Sequence, residues 1–232
     1  NSEFVPDALV NIGEYYFAQN KYEDALKLYE KAETYTKNPI SGFAKYKSGW
    51  CHYNLAQYKL AMTKFLRVIK VAQAQQKRGI KSAFGLEEDA AKDLKLPYSK
   101  IGKPSAAIAF FKKYTPKRYL TVCGQVADLY KEQEKYEASI QLLRDLIKEA
   151  RKTQGGLKKR YLVLRFQRII VDNLHRKGKD KVSTVAELKE LARLYVIEMK
   201  GAPRRFVKQE SKQVDNLIWK VANDYHQEYR SL

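Results

Sequence analysis

The chain has 232 residues, 44% hydrophobic and 31% charged, and its 45 Lys and Arg against 26 Asp and Glu give a formal charge of +19. That is enough apolar material for a core, whereas 11 Gly and 6 Pro are too few for an all-β protein dense in turns. No run approaches the roughly 20 apolar residues of a membrane span, and Asn1-Ser2-Glu3-Phe4 does not open a signal peptide.

The first helix is expected to start at Pro6, because a proline in the first turn loses no needed hydrogen bond and Asp7 favours the positive end of the helix dipole. The first helix pair runs to about Tyr35 and is closed by Asn38-Pro39. A second pair runs from about Gly42 to the Gln-rich stretch Gln73 to Gln76, with a break at Gly79. A third opens near Leu86-Glu87-Glu88-Asp89, turns at Gly102-Lys103-Pro104 and ends at Thr115-Pro116. Tyr119 to Glu132 and Tyr136 to Lys152 make the fourth. After Gly155-Gly156, Leu162, Phe166, Ile169, Ile170 and Leu174 keep a helical period, His175 to Asp180 form a turn, and Val185, Leu188, Leu191 and Leu194 are helical at spacings of three. A last helix from about Arg204 carries Val207, Val214, Leu217 and Val221. The expectation is an all-α chain of about eleven helices.

These pairs repeat one pattern. Gly49-Trp50-x-x-Tyr53 leads into Tyr58-x-x-Ala61-x-x-x-Phe65, and Leu9-x-x-Ile12-Gly13-x-x-Tyr16 leads into Tyr22-x-x-Ala25-x-x-x-Tyr29-x-x-Ala32. Pro104-x-x-Ala107-x-x-x-Phe111 and Tyr136-x-x-Ser139-x-x-x-Leu143 continue it, so that Ala25, Ala61, Ala107 and Ser139 stand 36, 46 and 32 residues apart. The longest spacing holds an insertion of about a dozen residues, placed between Gln73 and Ser82, against a period of about 34. Small residues belong where two helices cross, and the rings fill the space beside them. Residues 8–146 therefore resemble tetratricopeptide-repeat arrays, which implies a right-handed α-solenoid. Four repeats are assigned to 1–153, and a degenerate fifth repeat with a terminal helix, continuous with the same solenoid, to 154–232. Since each unit buries its apolar face only against a neighbour, and the chain is already in a repeat by Leu9, it is expected to be a piece of a longer repeat protein.

Catalytic chemistry is not expected: there is no Gly-rich phosphate loop, no His-Glu-x-x-His and no nucleophile elbow. No cofactor or metal is expected either, since Cys51 and Cys123 share no ligand spacing with His52, His175 or His226. The two cysteines are read as buried free thiols. Charge is uneven. Residues 1–60 carry seven Lys and seven acids, so the entire excess lies beyond them. From Arg144 to Lys181 thirteen basic residues face four acids, and Arg151, Lys152, Lys158, Lys159 and Arg160 form a candidate basic patch for an acidic protein or an anionic polymer. Nucleic acid ranks last, because no RNA-binding motif or zinc finger accompanies the charge.

The repeat resemblance also implies a binding surface, since the first helix of each unit lines the concave face. Tyr46, Trp50, Tyr53 and Asn54 share one side of such a helix; Phe17 is the matching position one unit earlier, and Lys92, Asp128 and Lys131 continue the path. More loosely, Lys47 to Leu55, Ala109-Phe110-Phe111, Ala127-Asp128-Leu129-Tyr130 and Asp224-Tyr225-His226-Gln227-Glu228 are similar to large envelope-associated repeat proteins of gliding and predatory deltaproteobacteria. That similarity implies a periplasmic or cell-envelope scaffold in a motility or secretion machine; the residues themselves leave the compartment open. The function read from the sequence is a non-catalytic scaffold that binds a peptide or partner protein in its groove. The alternative is a basic receptor or carrier for an anionic ligand, either an envelope polymer, a lipid surface or RNA.

Overall fold

The computed structural model describes residues 4–79, 85–152, 156–178 and 180–231. Among them are twelve α-helices, one short 3-10 turn and no strand. They are α1 (Val5–Ala18), α2 (Tyr22–Glu33), α3 (Ile40–Asn54), α4 (Tyr58–Lys77), α5 (Leu86–Asp93), α6 (Lys95–Ile101), α7 (Ala107–Tyr114), α8 (Tyr119–Glu132), α9 (Tyr136–Arg151), α10 (Leu157–Lys177), α11 (Lys181–Met199) and α12 (Arg204–Arg230). Where one helix was expected to open the third unit there are two, α5 and α6, which meet at Leu94. Pro97 supplies the reason: it has no N–H to offer the Asp93 carbonyl four residues back, and α5 ends at Asp93. Counted as one interrupted helix, they restore the expected eleven.

The chain packs as two compact units, one of residues 1–102 with 113–116 and the other of 103–112 with 117–232. Within each, consecutive helices joined by short turns lie against one another: α1 on α2, α2 on α3, α3 on α4 and α4 on α5 in the first, α8 on α9, α9 on α10 and α10 on α11 in the second. Packing of each helix on its sequence neighbours is the arrangement of a helical solenoid. The four aligned small residues Ala25, Ala61, Ala107 and Ser139 are all inaccessible to solvent, as are Tyr29, Phe65, Phe111 and Leu143 one turn further on. A Cβ placed on Gly13 would come within 2.8 Å of the Tyr29 ring, and one on Gly49 within 2.7 Å of Phe65. Glycine at these two crossings is thus a packing requirement, because the facing ring is fixed by full burial.

The turn between paired helices is built the same way three times. Asn20, Ala56 and Glu134 adopt positive φ (60°, 58° and 58°), and the next residue's N–H reaches back to the carbonyl five residues earlier: Lys21 to Tyr16, Gln57 to His52 and Lys135 to Tyr130, at 3.0, 2.8 and 2.8 Å. This six-residue closure, a Schellman motif, satisfies carbonyls left open at the helix end. The insertion expected between Gln73 and Ser82 is in part visible: α4 runs to Lys77 and Gly79 follows at φ 74°, while residues 80–82 lie outside the described residues. Cys51 and Cys123 are buried free thiols, and burial pushes each up to about 12. That leaves them protonated and inert at neutral pH.

Candidate functional site

In the first unit, the ring-bearing side of α3 is shared between core and surface. Tyr46, Trp50 and Tyr53 are half-buried. Tyr46 and Trp50 lie 5.7 and 5.8 Å from the fully buried Phe65 ring, and Trp50 and Tyr53 meet edge to face at 5.7 Å. Tyr46 donates its hydroxyl to Asp93 of α5 at 2.5 Å, and burial, reinforced by that carboxylate, pushes the phenol above its ordinary value. Asn54 is exposed, but its amide nitrogen turns back to the Trp50 carbonyl at 2.9 Å. Phe17 stands apart from this cluster: the Lys47 ammonium sits over its ring at 4.1 Å while pairing with Glu14 at 3.0 Å. Lys92 pairs within its own helix, with Glu88 at 3.1 Å.

In the second unit, Asp128 and Lys131 of α8 line an open cleft of about 550 Å³. Its opposite walls are Tyr161, Arg165, Arg168, Ile169 and Asp172 of α10, and Gln213, Asn216, Leu217 and Lys220 of α12. Gly124 permits the close approach of α8 to α10, since a Cβ there would meet Phe166 at 2.7 Å. Within the cleft, Arg165 pairs with Asp128, and Asp172 receives Arg176 at 3.0 Å and both Lys131 and Lys220 at 3.4 Å. Burial alone would raise the Asp172 carboxyl, but the Arg176 hydrogen bond and the three surrounding cations outweigh it and hold it below its ordinary value. Arg168 pairs with Glu210 of α12, whose side chain is fully buried and whose Oε1 has no hydrogen-bond partner among the described residues.

Of the eleven lining residues only Asp128 and Lys131 were among the sequence candidates, and the charged Arg165, Arg168, Asp172 and Lys220 were missed. A signal was present: Tyr161, Arg165, Arg168 and Asp172 recur at spacings of four, three and four, a polar stripe along a helix otherwise read for its apolar positions. The basic patch drawn from the sequence is largely partnered in the structure. Lys152 pairs with Glu149 at 2.9 Å, Arg151 and Arg160 each approach Glu198 at 3.9 Å, and Arg160 also donates to the Lys200 carbonyl at 2.7 Å. Lys158 is exposed and Lys159 half-exposed.

The fold and these surfaces define a helical-repeat protein whose first helices in each pair line the candidate sites. Three segments, 6–39, 43–80 and 120–153, match models of the tetratricopeptide repeat. They coincide with the first, second and fourth helix pairs, and repeats of this kind generally mediate protein–protein interaction. None of the curated proteins matches the chain. Among solved structures it is similar to nearly identical TPR-like repeats of a Podosopora anserina protein assigned as a kinesin light chain. A single-substitution variant of those repeats is 12% identical with a TM-score of 0.43, covering 86% of this chain and 100% of that one. A second structure of them is 13% identical with a TM-score of 0.41, covering 84% and 96%. Among the described residues no helix is long and apolar enough to cross a membrane, and no group of three or more His, Cys, Asp or Glu is placed to hold a metal ion.

Proposed function

We propose that the protein is a non-catalytic scaffold that takes an acidic segment of a partner protein in the cleft between α8, α10 and α12. The observation that carries this reading is the sharing of one carboxylate by several cations. Lys131 and Lys220 both sit 3.4 Å from Asp172, and each ammonium has three donors, so both keep hydrogen-bonding capacity for an incoming carboxylate. Gln213 and Asn216 on the facing wall can donate to and accept from a peptide backbone, while Ile169 and Leu217 supply apolar contact. In the first unit, the half-buried rings of Tyr46, Trp50 and Tyr53 offer a second contact surface, with Phe17, Asn54 and Lys92 as flanking groups. We extend the proposal to an envelope motility or secretion assembly as the setting, on the resemblance read from the sequence alone. A carrier for an anionic polymer, built on Arg151, Lys152, Lys158, Lys159 and Arg160, has less support because Glu149 and Glu198 draw on three of those five.

Peptides selected from a displayed random library on the immobilised protein test this reading. Acidic sequences are expected, with affinity reduced about tenfold or more by joint Lys131→Glu and Lys220→Glu substitution. Trp50→Ala should cost a selected ligand about 2 kcal/mol if the aromatic surface also binds. Selection without acidic enrichment, or ligands indifferent to the Lys131 and Lys220 reversal, would remove the cleft as the site.

A further inference from the structure

A run of positive charge without ion-pair partners among the described residues lies in the first unit, on α4 and the residue after it. α4 has 20 residues and no acid among them. At 100° per residue, Lys59, Thr63, Arg67, Lys70, Ala74, Lys77 and Arg78 fall within an arc of about 100°. All seven are exposed, opposite the buried Ala61, Phe65, Val68, Ile69 and Ala72. Among the described residues none of Lys59, Arg67, Lys70, Lys77 and Arg78 has an ion-pair partner. Glu30 and Glu33 are taken by Lys64 on its flank at 3.3 and 2.7 Å. The five cations extend about 28 Å along the helix. Lys45, half-buried on α3, registers the same field: burial lowers its pKa, Glu33 opposes this, and the charges of Arg67 and Lys64 lower it further.

Two aliphatic side chains border the stripe. Leu60 is 50% exposed and Val71 42%, and they lie three turns apart on the same edge of the helix. We propose that this outward face of α4 docks an acidic amphipathic helix from a partner protein. An antiparallel or parallel helix about 30 Å long would lay its apolar seam on Leu60 and Val71 and its carboxylates along Lys59, Arg67, Lys70, Lys77 and Arg78, as flanking charges do beside the seam of a coiled coil. The chemistry favours this occupant over a phosphate polymer, because the face carries no aromatic or amide side chain for a base and nucleotides make no use of Leu60 or Val71. It also favours it over a bilayer, since Phe65, Val68 and Ile69 of α4 are committed to the core and the two exposed aliphatic side chains, Leu60 and Val71, are too few to insert. The small residues Thr63 and Ala74 in mid-stripe let the partner backbone come close. This surface is independent of the cleft in the second unit, so either can fail alone.

The test uses the full chain and a labelled synthetic peptide of about 20 residues, helical over ~30 Å, with leucines on one stripe and glutamates beside it. Joint Arg67→Glu, Lys70→Glu and Lys77→Glu substitution should weaken binding about tenfold or more, with the milder Gln triple as a second variant and circular dichroism melts reporting folding. Leu60→Ser with Val71→Ser should weaken it about threefold or more, and this part of the loss should persist at high salt. A scrambled peptide of the same composition, without the apolar stripe, should bind less well than the ordered one. Unchanged affinity in both charge triples overturns the proposal. Equal binding of the scrambled peptide, poly(U) RNA or phosphatidylserine vesicles, together with indifference to the Leu60 and Val71 changes, overturns it in favour of unspecific polyanion attraction.

Discussion

At Gly49 a missing side chain sets the distance between two helices. A Cβ there would stand 2.7 Å from the Phe65 ring, which is fully buried and cannot swing away. Gly49→Leu should therefore force α3 from α4 and cost about 1–3 kcal/mol, the usual cost of overpacking, read as a lower denaturation midpoint. A melt within error of the parent would deny the crossing its importance. Ala56 shows the opposite economy. It holds φ at 58° in a turn where Asn20 occupies the equivalent place one repeat earlier, and a left-handed conformation costs a residue with a Cβ about 1–2 kcal/mol. Ala56→Gly removes that strain, offset by the chain entropy glycine loses on folding, and should raise stability by about 0.5–1 kcal/mol in urea titration.

Among the elements, α12 depends most on polar anchoring. Of its 27 residues only Glu210, Val214 and Val221 are buried, and Glu210 meets Arg168 of α10 with no solvent at the carboxylate. Arg168→Ala would leave a buried charge uncompensated, for which about 3–5 kcal/mol is typical. Pairing Arg168→Met with Glu210→Leu should recover most of that loss. Proteolysis would report the difference as early cutting within α12 in the single variant only. α8, α9 and α10 are joined by a different polar device: Ser139 donates to the Ala127 carbonyl at 2.8 Å and accepts from the Asn173 amide at 2.8 Å, all three groups buried. The serine standing where other repeats have alanine is thereby accounted for.

Across the whole molecule, carboxylates held below their ordinary range gather in the second unit: Glu149, Asp172, Asp180 and Glu190. Hydrogen bonds from Lys112 and then Lys152 bring Glu149 down to about 2. A carboxyl depressed on folding adds stability that is present above its unfolded pKa, near 4.5, and lost as pH falls through its folded value. Acid should thus weaken this unit progressively between about pH 4.5 and 2, and Glu149→Gln should flatten part of that slope in melts across the range. An unchanged slope would mean that Lys112 and Lys152 add nothing at this site. By itself the amino-acid order determined the helices, their pairing and the small-residue crossings, because 3.6-residue periodicity and the need for a small residue beneath a ring are local demands written into neighbouring positions. It also put Asp128 and Lys131 three residues apart on one helix, α8. What only the tertiary structure decided is which charges remain available. Arg151, Lys152 and Arg160 lose prominence to Glu149 and Glu198, and Lys131 acquires Asp172 and Lys220 as company, whereas among the described residues Lys59, Arg67, Lys70 and Lys77 of α4 have no ion-pair partner. Apart from Lys152, whose partner Glu149 lies three positions away, these ion pairs join residues some 40 positions apart through helix packing, and a one-dimensional count of Lys and Arg carries no record of which carboxylate the fold will bring within 4 Å.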